Sequence, residues 1–312
     1  MVNRDMKTIL IPLLFLIFCF GCASSEKANE EWEQNFELYK GYVDNEDHIN
    51  ALSVAKELVR IAEENFRDSV FLADNYNLLG LAYRSTQEYE KAEHFFQKAL
   101  PLAKGDVEVA SAIHRNLALV YINTGENSAA HASIDAALKL HSASGEVDSS
   151  SLYLAKLTLA DVLINMEDYE EALEQLTKVI EFGKSSGDNS LVMQGVSSFV
   201  KLSLYTGRPE EALKGIAKLK DYYKSNNRII SYAEVLTQEG SAYFIKKNYS
   251  KAVACFSIAA EVKLEHLNDS SFIGLELYNI ASSLEKKGDS IEASRYWHLY
   301  RKVNDNLPQQ NL

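Results

Sequence analysis

The sequence predicts an all-α fold, a solenoid of about seven helix pairs, and three observations carry that prediction. Ala51, Ala92, Ala130, Ala172, Ala212, Ala252 and Ala293 recur at spacings of 41, 38, 42, 40, 40 and 41 residues, and a fixed period of this length marks a repeat architecture. Four residues beyond each stand Ala55, Phe96, Ile134, Leu176, Ile216, Phe256 and Trp297, one helical turn away and so on the same face. Twelve residues before each marker stand Tyr39, Gly80, Ala118, Ala160, Val200, Gly240 and Ala281, mostly small, where a neighbouring helix approaches closely. Three beyond those come Tyr42, Tyr83, Tyr121, Leu163, Ser203, Tyr243 and Leu284.

At the N-terminus Arg4 and Lys7 precede an apolar run from Ile9 to Phe20, the pattern of a secretory signal. As a helix those residues span about 18 Å, short of a bilayer's hydrocarbon core. The run ends in Cys19-Phe20-Gly21-Cys22, which resembles a bacterial lipobox, with Cys19 where that motif prefers Leu and Phe20 bulkier than usual. The resemblance implies that Cys22 is the lipidation site, diacylated and exposed by cleavage. Residues 1–21 are then a lipoprotein signal peptide, 22–30 a flexible tether, 31–306 the solenoid and 307–312 a C-terminal tail. Ala23, not Asp, follows Cys22, which under the sorting rule of enteric bacteria implies the periplasmic side of the outer membrane.

Along the solenoid the first pair, near Ala51, has Tyr39 at the small place. The second is the fullest, with Leu79, Gly80, Tyr83, Ala92, Phe96 and Ala99. The third, near Ala130, ends in Ser142-Ala143-Ser144-Gly145, a turn-prone polar link. Glu167-Asp168-Tyr169-Glu170-Glu171-Ala172 opens the second helix of the fourth and matches Gln87 to Ala92 in the second pair and Lys247 to Ala252 in the sixth. The fifth, near Ala212, has Ser203 at the aromatic place. The seventh ends in a helix from Ser290 to about Asn306 that carries Tyr296, Trp297 and Tyr300 and stops before Pro308. Further polar links, Ser185 to Asp188 and Ser225 to Asn227, place the extra length in the second helices and the joins between repeats.

These residues resemble the tetratricopeptide repeat family, whose unit pairs a small residue and Tyr in the first helix with Ala, a bulky apolar residue and Ala in the second. The period here is about 40, against 34 in the common unit. The resemblance implies a right-handed superhelix with the first helix of each pair lining a groove. The long units are similar to those of kinesin-light-chain-like proteins, bacterial receptors for signalling peptides and the sensory halves of some bacterial kinases.

Apolar residues make up 46% and charged residues 24% of the chain, with 4 prolines, which excludes a long disordered or collagen-like tract. The net charge is −12, becoming −13 without residues 1–21, so counterion release gives no affinity for nucleic acid. Seven histidines show no His-Glu-x-x-His spacing, and Cys-x-x-Cys and phosphate-loop motifs are absent, so neither a metal nor a cofactor is expected. Asp44-Asn45-Glu46-Asp47 lacks the glycine of a calcium loop and reads as a solvated turn. Glu30-Glu31-Trp32-Glu33 reads as an acidic first helical turn. Cys255, beside Phe256, reads as a packed, inert thiol.

In the resembled family the ligand-facing places of the first helix include the fifth, ninth, twelfth and thirteenth. Those places hold Asn77 and Arg115, then Asp161 and Lys201, then Arg84, then Asn123, Asn165 and Tyr205. Stacked amides suit the backbone of an extended peptide, and arginines suit a carboxylate. Asn123 and Asn165 equally suit helix C-terminal caps, and the arginines equally suit solvation. The expectation is a non-enzymatic lipoprotein of the bacterial envelope that binds a protein or peptide as a scaffold or adaptor in complex assembly. The alternatives are a sensory module that captures a signalling peptide and acts through a partner, and, least favoured, an enzyme with a cryptic site.

Overall fold

The computed structural model describes residues 26–145, 149–267 and 270–305. The signal segment 1–21, Cys22, Asn306 and the tail 307–312 lie outside the described residues. Fourteen α-helices occur among the described residues, in seven antiparallel pairs. They are α1 over 26–44, α2 His48–Asn65, α3 Ser69–Ser85, α4 Tyr89–Ala99, α5 Val107–Thr124, α6 Asn127–Ser144 and α7 Ser150–Asn165. Then come α8 Tyr169–Ser186, α9 Asn189–Tyr205, α10 Pro209–Ser225, α11 Ile229–Ile245, α12 Tyr249–Leu267, a 3₁₀ turn Ser270–Ile273, α13 Gly274–Lys287 and α14 Ser290–Asp305.

Every marker alanine is 2% exposed or less. Each sits one turn into its helix, and its N–H donates to the carbonyl of the residue four before it at 3.0 to 3.2 Å. Five residues before each marker the backbone turns left-handed, at Glu46, Gln87, Gly125, Glu167, Gly207, Lys247 and Gly288. The next N–H then reaches back five residues to the carbonyl of Tyr42, Tyr83, Tyr121, Leu163, Ser203, Tyr243 or Leu284 at 2.7 to 2.9 Å. This six-to-one bond is a Schellman closure, which satisfies carbonyls that a helix end leaves unpaired. One turn geometry, seven times over, therefore fixes how each first helix hands the chain to its second.

The small places earn their size by contact. A Cβ added to Gly80 would lie 2.5 Å from the Phe96 ring, and one on Gly240 would lie 2.5 Å from the Phe256 ring. Val200 fills that place in the fifth pair, and Gly215 opposite makes room, since a Cβ there would meet a Val200 methyl at 2.5 Å. Close packing tolerates the larger residue because its neighbour shrinks.

The chain divides into two compact units, residues 1–116 and 117–312. The first buries Ala55, Leu58, Ile61, Ala73, Leu79, Phe96 and Ile113 among its helices. In the second, a core runs from Ala118 through Ile134, Ala160, Leu176 and Val179 to Leu202. Here the backbones of α7, α9, α11 and α13 approach one another in succession, whereas those of α8, α10, α12 and α14 approach the first helices beside them and not one another. The first helices thus form the crowded layer of that unit and the second helices the splayed one.

Two expectations need correction. Helix α1 already covers 26–30, which the sequence placed in the tether, so Glu30 to Glu33 lies within the helix and is not its first turn. The cause is packing: Ala28 is buried, and Trp32 stacks on Phe36, meets Phe71 and donates its Nε1–H to Asn75 Oδ1 at 2.8 Å. The second helices run 16 to 19 residues except α4, which has 11. Pro101 stops α4 early: Leu100 keeps helical geometry, but Pro101 has no N–H to donate back to Gln97 and its ring crowds that carbonyl.

Candidate functional site

In the first unit the structure brings Asn77, Arg84 and Arg115 to one seam between α3 and α5. Seven residues separate Asn77 from Arg84, two turns of α3, so both lie on one face. Asn77 Oδ1 accepts from Asn116 Nδ2 at 2.8 Å, and Asn116 is buried with its own Oδ1 unpartnered. Arg84 sits in the last turn of α3, where its charge complements the helix dipole. It is half-buried, not solvated, and its Nε is buried without a hydrogen-bond partner. Burial pushes its pKa down, opposed by the Tyr89 and Tyr39 hydroxyls nearby. Burial and then the Arg84 charge push Arg115 down as well. Burial raises Tyr39 to about 12, against the pull of Arg84, so its phenol stays protonated.

In the second unit Asp161 on α7 and Lys201 on α9 come together with Ser198, whose hydroxyl donates to the Asp161 carboxylate. Burial raises the Asp161 pKa, while Lys201 and that hydrogen bond oppose the rise. Ser198 was missed by sequence reasoning; its spacing of three before Lys201 was the available signal, since it puts both on one face of α9. Tyr205, the last residue of α9, is 60% exposed. Asn123 is exposed in the last turn of α5. Asn165 ends α7, and its backbone carbonyl accepts from Asn127 Nδ2 at 3.2 Å. Neither asparagine makes the left-handed cap, which falls to Gly125 and Glu167.

A buried group lying beyond the predicted set links α11, α12 and α13. Glu276 is fully buried; its Oε1 accepts from Thr237 Oγ1 at 2.8 Å and from Lys263 Nζ at 2.9 Å. A cleft of about 640 Å³, lined by Ala260, Leu264, Leu277, Tyr296, Leu299 and Val303 among others, lies between α12, the 3₁₀ turn and α14. None of the predicted residues lines it. Cys255 is half-buried, and burial pushes its thiol up to about 11, so little of the nucleophilic thiolate exists near neutral pH. Among the described residues, no group of three or more His, Cys, Asp and Glu is placed to hold a metal ion. No helix among them is long and apolar enough to cross a membrane.

Family models described as tetratricopeptide repeat match residues 41–105 and 154–182. No curated protein matches the sequence. Among solved structures, a Rap protein complexed with competence and sporulation factor aligns with a TM-score of 0.60 at 12% identity, over 92% of this chain and 100% of that one. Aspartyl phosphate phosphatase F from Bacillus subtilis gives 0.63 at 13% identity, over 98% and 76%. A signal transduction ATPase with a tetratricopeptide repeat sensor, from Pyrococcus horikoshii, gives 0.53 at 18% identity, over 85% of this chain and 42% of that one. At these identities the likeness is one of fold.

Proposed function

On the premise that the chain is a tetratricopeptide repeat protein, we propose that it is a non-enzymatic lipoprotein of the bacterial cell envelope. It binds a protein or peptide and serves as a scaffold or adaptor in the assembly of an envelope complex. One observation carries the binding half: the predicted polar places fall on first helices, and one of them, Arg84, together with Asn116 next to Arg115, keeps hydrogen-bonding capacity that the fold does not use. Asn116 Oδ1 and Arg84 Nε are buried and unpartnered. Such groups are costly to leave unmade, so they mark a seam at which a partner that makes these side chains turn outward gains hydrogen bonds. The fold is a scaffold on which function belongs to such sites.

The anchoring half rests on the apolar run closed by Gly21-Cys22. Acyl chains on Cys22 contribute about 0.8 kcal/mol per buried CH₂, so several hold the body at the membrane surface. Ala23 supports the outer membrane, periplasmic side. The net charge of −12 disfavours nucleic acid as a partner. A second reading, capture of a signalling peptide with the signal passed on by a partner, is favoured by the fold likeness to the Rap protein bound to its factor.

The test is cross-linked capture in intact cells with the full-length protein. Changing Lys201 and Tyr205 together to Ala is expected to lower capture while circular dichroism at the assay temperature stays that of the folded wild type, the loss of Lys201 beside the buried Asp161 costing some stability. Changing Glu174 and Lys178, an exposed ion pair on α8, is expected to leave capture intact. Capture lost through the α8 pair and kept by the α9 pair would put the surface on the second helices. Metabolic labelling with a fatty-acid analogue is expected to mark wild type but not Cys22→Ala.

A further inference from the structure

We propose that the groove between α12 and α14 docks an amphipathic helix of a partner protein, its apolar stripe seated on α13, with cations on the flank toward α12 and an anion on the flank toward α14. The groove lies between second helices of the last two pairs and is separate from the first-helix surface.

Two departures from the repeat make the groove apolar. Twelve residues beyond the marker alanine, α2, α6, α8 and α10 carry Glu63, Ser142, Lys184 and Lys224, whereas α12 carries Leu264. Six beyond the marker, α2, α4, α8 and α10 carry Glu57, Lys98, Lys178 and Lys218, whereas α14 carries Leu299. Both leucines are 38% exposed, and both line the cleft of about 640 Å³ whose floor holds the buried Ile273, Leu277 and Ile280. The backbones of α12 and α14 do not approach each other, so their own packing leaves that space open. Exposed apolar walls over an apolar floor mark a surface that a partner covers. The walls also differ in charge: Glu261 and Glu265 stand one turn apart on α12, and Lys302 stands on α14. Among the described residues none of these three side chains is ion-paired. Cations one turn apart on a helix laid along α12 match the two carboxylates, and an acidic residue on its other flank meets Lys302. An extended peptide would bring a row of N–H and C=O groups against apolar walls, whereas a helix keeps those bonds internal. A single-headed amphiphile would answer only one of the two walls.

The experiment is fluorescence anisotropy of labelled helix-forming peptides of about five turns, titrated with the full chain in phosphatidylcholine nanodiscs at about 0.15 M salt, with empty discs as the blank. Each peptide has leucine at every third or fourth place; one carries lysines on one flank and glutamates on the other, a second lysines on both flanks. Wild type is expected to bind the mixed peptide saturably. Leu264→Lys is expected to melt like wild type, since lysine stands at this place in α8 and α10, and to weaken that binding about tenfold or more. Lys302→Glu, at an exposed residue, is expected to move the ratio of the two affinities about threefold or more toward the lysine-only peptide, while Lys218→Glu, the same charge change on α10, leaves the ratio alone. The ratio reads the groove even where Leu264→Lys fails to fold. No saturable binding of either peptide by wild type overturns the site, as does a folded Leu264→Lys that binds like wild type, or a ratio that Lys302→Glu and Lys218→Glu shift alike. Self-association that Leu264→Lys abolishes, with no peptide bound, would give the groove to a second copy of the chain and overturn the partner helix. Binding seen only after removal of residues 307–312 would give it to the chain's own tail and overturn the proposal equally.

Discussion

At Gly80 and Gly240 the backbone itself is the floor on which a phenylalanine ring rests, with no room for a methyl group. Gly80→Ala is therefore expected to destabilise by about 1–3 kcal/mol, with Phe96→Leu in the same chain recovering part of the loss, as thermal melts would show. Equal melts for Gly80→Ala and wild type would mean that the helices part without cost. These pairs were legible in the sequence, because the small place and the ring recur at a fixed offset. The exchange at Val200 and Gly215 was not, since only contact shows which residue gives way. Arg84 and Arg115 were legible as positions, whereas their burial was not, because burial is a tertiary fact. Asp161 gives a pH signature. Its folded pKa is raised, so its charged form is disfavoured in the fold, and the stability it contributes falls as pH rises from the unfolded value of about 3.9 through the folded one. Asp161→Asn is expected to melt higher than wild type at pH 7 and to lose that advantage near pH 3; an advantage independent of pH would contradict the assignment.

Among the elements, the inter-helix turn is the most constant feature and the least visible one. All seven turns place a left-handed residue five before the marker alanine, yet only three of those residues are glycine. Propensity reading looks for the glycine, and four turns conceal the position behind Glu46, Gln87, Glu167 and Lys247. A side chain there costs about 1–2 kcal/mol, partly offset by the entropy that glycine would lose on folding, about 0.5–1 kcal/mol. Gln87→Gly, Glu167→Gly and Lys247→Gly are each expected to stabilise by up to about 1 kcal/mol, and to add when combined, since they share no partner. Urea titrations of the single and triple variants would check this, and a triple variant weaker than wild type would mean that the side chains hold these turns by contacts of their own. Helix α1 shows the opposite failure of reading: the sequence puts residues 26–30 in the tether, but Ala28 and Trp32 at helical spacing carry the helix into it.

On the scale of the molecule, the repeat was legible because seven registers agree, and each unit stacks helix pairs as that period requires. The partner was not legible, since solenoids of one fold serve many partners and specificity lies in a few side chains per first helix. The central claim is that this first-helix layer is the working surface. Its most direct test places a photo-activated cross-linking amino acid, one position at a time, at Asn77, Asp161 and Tyr205 on first helices and at Lys178 and Lys218 on second helices. The account predicts that irradiation of cells joins a partner to the first-helix positions and leaves the second-helix positions bare; adducts formed at Lys178 and Lys218 with none at Asn77, Asp161 or Tyr205 would contradict it.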